Sequence, residues 1–343
     1  MKFCKRYREY MQGLQDQLPG VSFKKFKKVL KQCTVIDHKQ GGKRIASDAA
    51  TSSGELNNDN NSRDGVGLLI RCPNPTSCPI CDQNFFPLLL AEMAAVVCYF
   101  NARAKQLLDL HLASGFQKFL KWMTGKFAGK QVAMIQEGNN LVSYASINAL
   151  AIHKILKKYD KIHYSKQGRE FRTHAQIMQM EILHSPLLNE LIAFHTNLMN
   201  DSNNLASVSG EWSLTFDGGK PSLSCILLDS LKIDIDLTCS ICLETLFDPV
   251  SLKCGHMFCY SCACAAASVT IIEGLERANR TSKCPLCRQE SVFTEAVRLV
   301  ELNILLSKRC EEYWEQRLQR ERIERLQQAK KHWEDQCRAF MGL

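Results

Sequence analysis

The feature that most constrains this chain is a set of eight cysteine and histidine residues arranged in four closely spaced pairs. In chain order the pairs read C-x2-C, C-x-H, C-x2-C and C-x2-C, with eleven residues after the first pair and twenty-one before the last. Zn²⁺ takes four such ligands in a tetrahedron, so four pairs predict two zinc sites. Both sites would be closed by protein ligands, which makes the metal structural rather than catalytic. The eight residues are Cys239, Cys242, Cys254, His256, Cys259, Cys262, Cys284 and Cys287.

The order of these ligands resembles the RING finger, because the single histidine is the fourth ligand rather than the fifth, as it would be in a PHD-type finger. In the RING family the first and third pairs share one zinc ion, and the second and fourth pairs share the other. The resemblance implies the following ligands for site one: Cys239, Cys242, Cys259 and Cys262. For site two it implies Cys254, His256, Cys284 and Cys287.

The residues between the ligands resemble those of RING fingers in ubiquitin ligases. The resemblance implies that Ile241, Pro285 and Leu286 form a shallow apolar surface for an E2 ubiquitin-conjugating enzyme. It also implies that Arg288 bridges the E2 and ubiquitin, a role that suits the fixed donor fork of a guanidinium. Catalysis would then consist of positioning, with no covalent nucleophile on this chain. The alternative is that Arg288 is only a solvated charge and Ile241 only packs a zinc turn.

Other cysteines raise the question of further metal ligands. Cys264 follows Cys262 by two residues, but the C-x2-C spacing favours Cys262 as the ligand, so we expect Cys264 to be a small buried residue. Cys72, Cys78 and Cys81 contain only one C-x2-C pair and lack a well-placed fourth ligand. Free thiols are therefore favoured at these three positions, and metal binding there is left open.

The composition predicts a globular intracellular protein. With 343 residues, 45% of them hydrophobic and 23% charged, the chain is long enough for two or three compact domains. Its first ten residues contain no apolar run, so we predict no secretory signal and expect the thiols in a reducing compartment. The longest apolar candidate, 85–100, contains Glu92, and we predict no membrane span. The expected location is the cytoplasm or nucleus, with a peripheral position at the plasma membrane as a further option.

The secondary-structure pattern is mainly helical. Two short helices are predicted around a turn at 18–20, a flexible loop at 40–66, and a β-hairpin around the turn at 217–219. A heptad-like stripe predicts a long helix packed lengthwise against a partner, and its members are Phe86, Leu90, Met93, Val97, Phe100, Ala104 and Leu107. The predicted longer helices cover 86–122, 134–161, 170–184 and 187–199, and a charged helical tail follows residue 294.

Positive charge is concentrated near the amino terminus and on one predicted helix. Residues 1–44 contain twelve Lys and Arg and three acids. The net charge of this segment is therefore +9, the same as the net charge of the entire chain. In the helix around 150–161, one face is apolar and the opposite face carries lysines, with only Asp160 among them. Like charges at neighbouring helix positions repel by about 0.2–0.5 kcal/mol per pair, so this strip predicts an anionic partner. The four lysines are Lys154, Lys157, Lys158 and Lys161.

The start MKFCK, the motif FKKFKK at 23–28 and the motif KILKKYDK at 154–161 resemble the SPX domain. That family is a helical bundle with two long helices and a basic surface for inositol polyphosphates. The resemblance implies an inositol polyphosphate site formed by Lys2, Lys27, Lys154, Lys157, Lys158 and Lys161. Phe23 departs from the family, which usually has tyrosine there, and this leaves the inositol phosphate preference open. A nucleic-acid partner is not predicted, because Phe23, Phe26 and Tyr159 fall at core positions rather than as stacking platforms.

An SPX domain followed by a RING finger resembles the plant nitrogen limitation adaptation family of ubiquitin ligases. This resemblance implies an E3 that acts with an E2 and ubiquitin on phosphate or nitrate transporters. A non-catalytic SPX sensor or adaptor with a structural zinc module is the alternative. For the charged tail from 311 to 337 three options are left open: dimerisation as a coiled coil, docking back on the RING, or exposure to solvent. The expected domains are an SPX domain at 1–200, a β-hairpin connector at 201–237, a RING finger at 238–290 and a helical tail at 291–343.

Overall fold

We describe the protein from a computed structural model. The described residues are 3–13, 18–31, 79–122, 128–163, 166–201, 213–217, 220–227 and 231–341. The predicted loop at 40–66, together with Lys2, Cys72 and Cys78, lies outside these ranges. The side chain of Cys81 is not described either, so the prediction of a free thiol there also lies outside the described residues.

The prediction of a mainly helical protein with two long helices is confirmed. The longest helices, α3 and α4, contain 44 and 36 residues. The helices are α1 (Phe3–Gly13), α2 (23–31), α3 (Pro79–Trp122), α4 (Ala128–His163), α5 (Gln167–Ile177), α6 (Pro186–Asp201), α7 (Tyr260–Ala266), α8 (Val300–Arg309) and α9 (Glu311–Met341). Two short 3₁₀ turns occupy Ile182–His184 and Leu275–Arg277.

The chain divides into two compact units. The N-terminal unit comprises Met1–Glu92 and Ala151–Thr173, and the RING unit comprises Met93–Leu150 and His174–Leu343. Helices α3, α4 and α5 each contribute residues to both units.

Aromatic rings build the core of the N-terminal unit. Phe85 of α3 lies with its ring centroid 5.4 Å from that of Phe26 and 5.0 Å from that of Tyr159. Helices α2 and α4 therefore both pack on the same residue of α3. The predicted stripe is displaced by one position at its start, because Phe85 and Leu89 are fully buried whereas Phe86 and Leu90 are only half-buried. Further along the helix the stripe is buried as predicted from Met93 to Leu107.

The prediction of one helix over 170–184 is wrong, since α5 ends at Ile177. Gln179 adopts a left-handed backbone with φ 60°. Its N–H donates to Gln176 O, and the N–H of Met180 donates to Ala175 O, which is the Schellman pattern of a helix end. Glycine usually occupies this left-handed position, so a glutamine gave no stop signal in the sequence.

The predicted hairpin forms the first half of a three-stranded antiparallel sheet with the order β1-β2-β3. Strands β1 (Ser213–Asp217) and β2 (Lys220–Leu227) pair around the predicted turn, with Leu214 opposite Leu223. Strand β3 (Leu231–Asp236) was missed. Its sequence LKIDID alternates apolar and polar residues with the period of a strand, and this pattern is the signal that could have found it.

A second small sheet, with the order β5-β4-β6, lies within residues 249–298. Its strands are β4 (Pro249–Ser251), β5 (Met257–Cys259) and β6 (Val297–Arg298), all antiparallel. Strand β5 leads directly into α7, so two metal-ligand candidates, Cys259 and Cys262, sit at the strand end and one helical turn later.

One segment of α3, Asn84–His111, is long and apolar enough to cross a membrane. Length and composition are weak evidence, because the core helix of a soluble protein passes the same test, and 33% of the most apolar window is buried inside the protein. The absence of a membrane span stays a prediction.

Candidate zinc centres and adjoining surfaces

Two backbone turns of the same construction carry four of the candidate ligands. We name them knuckle one (238–245) and knuckle two (283–290). In knuckle one, Leu243 N donates to Cys239 O at 2.8 Å, and Cys239 N donates to Glu244 O at 2.8 Å. In knuckle two, Arg288 N donates to Cys284 O at 2.8 Å, and Cys284 N donates to Gln289 O at 2.9 Å. Each turn therefore folds back on its own first cysteine.

The residue after the second cysteine of each knuckle has a left-handed backbone. Leu243 has φ 61° and Arg288 has φ 59°. Neither residue is glycine, so each position costs about 1–3 kcal/mol of backbone strain that the surrounding structure must offset. The strain follows from closing the turn tightly enough to point both sulfur atoms to the same side.

The structure brings together the two sets of four residues that the RING resemblance implies. One set is Cys239, Cys242, Cys259 and Cys262, and the other is Cys254, His256, Cys284 and Cys287. Within each set the ligand atoms all lie within 4.8 Å of one another. Each set has two buried cysteines, but the second is more open, because Cys287 is exposed whereas Cys242 and Cys262 of the first are half-buried.

The spacing of these atoms fits tetrahedral zinc. A Zn–S bond of about 2.3 Å places two sulfur ligands of a tetrahedron about 3.8 Å apart. The sulfur atoms of Cys242 and Cys259 lie 3.8 Å apart, and His256 Nδ1 lies 3.3 Å from Cys254 Sγ and 3.7 Å from Cys284 Sγ. Disulfides would require about 2.05 Å, and all eleven cysteines whose side chains the structure describes are free. Bound zinc would tie knuckle one to the β5–α7 junction, and knuckle two to the loop that carries Cys254 and His256.

Cys264 lies beside the first set without belonging to it. It is 1% exposed, and burial is the main cause that raises the pKa of its thiol to about 11. Its sulfur is not among the four clustered ligand atoms of site one. This agrees with its interpretation as a small buried residue.

Apolar side chains project from both knuckles. Ile241 and Leu286 occupy the same position in their respective turns, and they are 39% and 52% exposed. Pro285 and Arg288 are also exposed. Among the described residues, Arg288 has no ion pair, so its guanidinium is available to a partner. The four residues predicted to contact the E2 are therefore all accessible.

Helix α9 packs against the end of knuckle one and the segment that follows it. The rings of Trp314 and Phe247 lie 4.5 Å apart, and Tyr313 Oη donates to Thr245 O at 2.8 Å. Arg317 pairs with Glu244 at 3.0 Å, and Arg325 pairs with Asp248 at 3.1 Å. Phe247 also donates its N–H to Cys259 Sγ at 3.3 Å, so the same segment contacts a site-one ligand.

The turn after α5 packs against the surroundings of site two. Gln289, which follows Arg288, donates from Nε2 to Ile177 O at 3.3 Å. Gln179 donates to Lys253 O, next to Cys254. Gly255 has φ 83°, and a Cβ there would lie 2.9 Å from His184 O, so this backbone approach requires glycine.

A buried polar cluster, which no sequence pattern predicted, holds α8 against α6. Glu190 accepts hydrogen bonds from the N–H groups of Glu301 and Leu302 at 2.9 and 3.1 Å, at the N-terminus of α8. Glu301 accepts from Asn197 Nδ2 at 3.1 Å and lies 2.7 Å from His111 Nδ1. Burial is the main cause that raises the pKa of Glu190 to about 7, and the Glu301 carboxylate adds to the shift.

The lysine strip lies on α4 as predicted, opposite a core face. Ile152, Ile155, Leu156 and Tyr159 are all buried. Lys157 and Lys161 are exposed, Lys158 is half-buried, and Lys27 is exposed on α2. The ammonium group of Lys154 lies 5.0 Å from the ring centroid of Phe3, which in turn packs edge-on against Phe23. Lys2 is outside the described residues.

Asp160, the one acid among these lysines, forms a hydrogen bond with the backbone. Asp160 Oδ1 accepts a hydrogen bond at 2.7 Å from the N–H of Gly168, in the first turn of α5. A carboxylate there satisfies an otherwise free N–H group and complements the helix dipole. Asp160 therefore points toward the α5 terminus rather than along the lysine strip.

Comparisons with known proteins define the class first. The RING-type zinc-finger family matches residues 239–285 of this chain. A stretch of 61 residues is 44% identical to the human E3 ubiquitin-protein ligase TRIM22, covering 17% of this chain and 11% of that protein. No solved structure matches the chain. Sequence match and ligand geometry together define a RING-type zinc-binding protein of the ubiquitin-ligase class.

Matches over the full length then identify the family. The chain is 53% identical over 345 residues to a probable E3 ubiquitin-protein ligase BAH1-like 1 of Oryza sativa subsp. indica. It is 52% identical over 357 residues to the E3 ubiquitin-protein ligase NLA of Arabidopsis thaliana. Both alignments cover 100% of this chain and of the relative. The chain belongs to the NLA and BAH1-like family of plant E3 ubiquitin-protein ligases, as its resemblance to the nitrogen limitation adaptation family predicted.

Proposed function

We propose that this ligase holds an E2–ubiquitin thioester between its two knuckles and thereby prepares it for attack by a substrate lysine. The observation that carries the proposal is the matched pair of exposed apolar side chains, Ile241 and Leu286, with Arg288 one residue beyond knuckle two's last cysteine. Apolar contact would dock the E2, and the guanidinium would restrain ubiquitin in one arrangement. Restraint of this kind accelerates the reaction by lowering the entropy lost in reaching the transition state.

Autoubiquitination with a panel of E2 enzymes tests this proposal. We expect Ile241→Ala and Arg288→Ala to lose activity while both keep two zinc ions per chain, and Cys254→Ser to lose activity together with zinc. Arg280→Ala is the matched control, because Arg280 is exposed in the same module but lies outside the knuckles. Full activity in both Ile241→Ala and Arg288→Ala would refute the docking assignment. A wild type that binds two zinc ions but discharges no E2 would favour the alternative, a non-catalytic adaptor.

We propose further that the lysine strip binds an inositol polyphosphate as a regulatory ligand, in the manner that the SPX resemblance implies. The support is the exposure of Lys157 and Lys161 on one face of α4 and the diversion of Asp160 to the α5 backbone. Lys27 lies on α2, which packs with α4 on Phe85, so it is placed to extend the basic surface. Clustered ammonium groups recognise phosphates as point charges.

Calorimetry with inositol hexakisphosphate on the full-length chain tests this site. We expect Lys157→Ala with Lys161→Ala to weaken binding at least tenfold at low ionic strength. Lys105→Ala is the control, because Lys105 is exposed on α3 in the RING unit. Equal affinity in the double variant and the control would refute the site. Phe23→Tyr restores the hydroxyl that the SPX family usually has, and its affinities for different inositol phosphates show whether Phe23 alters the preference.

We propose phosphate or nitrate transporters as substrates, supported only by the resemblance to the nitrogen limitation adaptation family. This assignment places the ligase in the cytoplasm or nucleus and peripherally at the plasma membrane. Co-expression with each transporter class, followed by detection of ubiquitin on the transporter, tests it with Arg288→Ala as the inactive control. A second copy of this chain is also a proposed partner.

A further inference from the structure

The outer half of α9 carries an apolar stripe that no described residue covers. Ile323, Leu326, Trp333 and Phe340 are 58%, 70%, 61% and 94% exposed. Cys337 between them is exposed as well. These positions alternate by three and four residues, with Lys330 completing the series, which is the a/d pattern of a coiled coil. The a positions hold Ile323, Lys330 and Cys337, and the d positions hold Leu326, Trp333 and Phe340.

The stripe and the RING contacts lie on different sides of the helix. The residues of α9 that contact the RING include Tyr313, Trp314, Arg317, Arg320, Arg325 and Gln328. At about 100° per residue, the centre of the apolar stripe is about 180° around the axis from the centre of this contact face. The helix can therefore keep its place on the RING while the stripe binds something else.

From this placement we propose that the stripe binds the same stripe of a second copy of this chain, with the two helices antiparallel. The inference rests on the homodimer proposed above and specifies its surface. The decisive residue is Lys330, which occupies an a position between two apolar layers. In a parallel pair it would face its own copy, and two ammonium groups would be forced together within an apolar seam.

An antiparallel pair removes this conflict. With helices in opposite directions, a positions face d positions, so Lys330 faces Trp333 of the second copy. An ammonium group over an indole face is attractive by about 0.5–2 kcal/mol. The same register places Ile323 opposite Phe340 and Leu326 opposite Cys337, so each end of the seam is closed by apolar side chains.

The available area predicts a weak, reversible dimer. A buried aromatic residue covers about 150–250 Å². The exposed parts of Trp333 and Phe340 thus offer on the order of 300 Å² per copy. Adding the aliphatic residues of both copies brings the total to about 1,000 Å², near the lower limit of specific interfaces. We expect dissociation in the micromolar range.

Sedimentation of the full-length protein under reducing conditions, over a range from about 1 to 100 μM, tests for the dimer. We expect Leu326→Asp to abolish the concentration dependence of the wild type. Ala339→Asp is the control, because it introduces the same side chain at an exposed position on the far side of the helix. A monomeric wild type throughout would overturn both the homodimer and this surface. A dimer that survives Leu326→Asp would leave the homodimer standing and refute the stripe.

Cysteine cross-linking tests the orientation. Antiparallel pairing separates the two copies of Cys337 by about 16 Å along the axis, beyond the reach of a disulfide. Leu326→Cys would place its thiol opposite Cys337 of the second copy. We expect mild oxidation to link Leu326→Cys chains between 326 and 337, mapped by peptide mass spectrometry, and this link to vanish in Leu326→Cys with Cys337→Ser. A link between two wild-type Cys337 residues would show a parallel pair and overturn the proposal.

Discussion

The two knuckles have almost the same backbone but different supports. Both close with the same two hydrogen bonds, and both place a non-glycine residue in the left-handed region. Knuckle one and the segment after it pack against α9. Knuckle two is more exposed, and Gln289 donates a hydrogen bond to Ile177 O at the end of α5. Identical local geometry can therefore arise from the cysteine spacing alone. What surrounds each knuckle decides how firmly it is held and what it can present to a partner.

The largest expected effect is common to both knuckles. Structural zinc contributes about 10–16 kcal/mol to the folding of small zinc modules. We therefore expect Cys259→Ser and Cys284→Ser each to lose zinc and to unfold the region 238–298, measured by native mass spectrometry and thermal unfolding. Cys264→Ser is the control and should retain two zinc ions. Retention of both ions in Cys259→Ser would contradict the assignment of site one.

The second prediction tests whether α9 supports knuckle one. Trp314→Ala removes the ring that packs on Phe247, and we expect a loss of about 2–3 kcal/mol from the surroundings of site one. The matched control is Trp333→Ala in the same helix, at a concentration where the chain is monomeric. Because Trp333 is 61% exposed, its removal should change stability by less than about 0.5 kcal/mol. Equal losses in the two variants would show that α9 does not support knuckle one through Trp314.

The third prediction uses pH to probe the α6–α8 junction, which no zinc ion holds. Burial raises the pKa of Glu190 to about 7 in the folded protein, above its ordinary value of 4.5. Between these values the unfolded chain releases this proton while the folded chain keeps it, so stability falls as the pH rises from about 4.5 to 7. The facing groups are the Glu301 carboxylate, itself bound to His111, and the N–H groups at the start of α8.

Thermal unfolding of wild type and Glu190→Gln, with excess zinc at pH 5 to 8, measures this effect. We expect the wild type to lose about 2 kcal/mol relative to Glu190→Gln between pH 5 and 7.5, and little further stability above that. Comparing the two chains at each pH cancels the pH dependence of zinc binding. A constant difference across the range would show that Glu190 does not titrate there.

The smallest prediction concerns the left-handed residue of each knuckle. Asparagine tolerates this backbone better than leucine or arginine, so Leu243→Asn and Arg288→Asn should each stabilise the RING by up to about 1 kcal/mol. Calorimetry of the two variants measures the gain. Only Arg288→Asn should also lose autoubiquitination. A destabilised Leu243→Asn would mean that its 73% exposed side chain makes contacts that the backbone argument neglects.

Cysteine and histidine spacing predicted the zinc ligands because a metal site depends on a few residues at fixed separations. The long helices were equally readable, since their apolar periods run for many turns. The sequence did not reveal the stop after Ile177, because glutamine carries no turn signal, and it did not reveal Glu190 or Glu301. Buried carboxylates look like surface residues until tertiary packing places α6 beside α8. The separation of the exposed α9 stripe from the RING contact face also needed the structure.

The central claim is that the two zinc sites are held by different helical supports, and hydrogen exchange of Trp314→Ala tests it most directly. The amides of Leu246 and Phe247, bonded to Leu237 O and Cys259 Sγ, report on site one. The amides of Lys253 and Gly255, bonded to Val292 O and Leu252 O, report on site two. We predict faster exchange at Leu246 and Phe247 with no change at Lys253 and Gly255. Equal acceleration at all four amides would show one cooperative unit and contradict the claim.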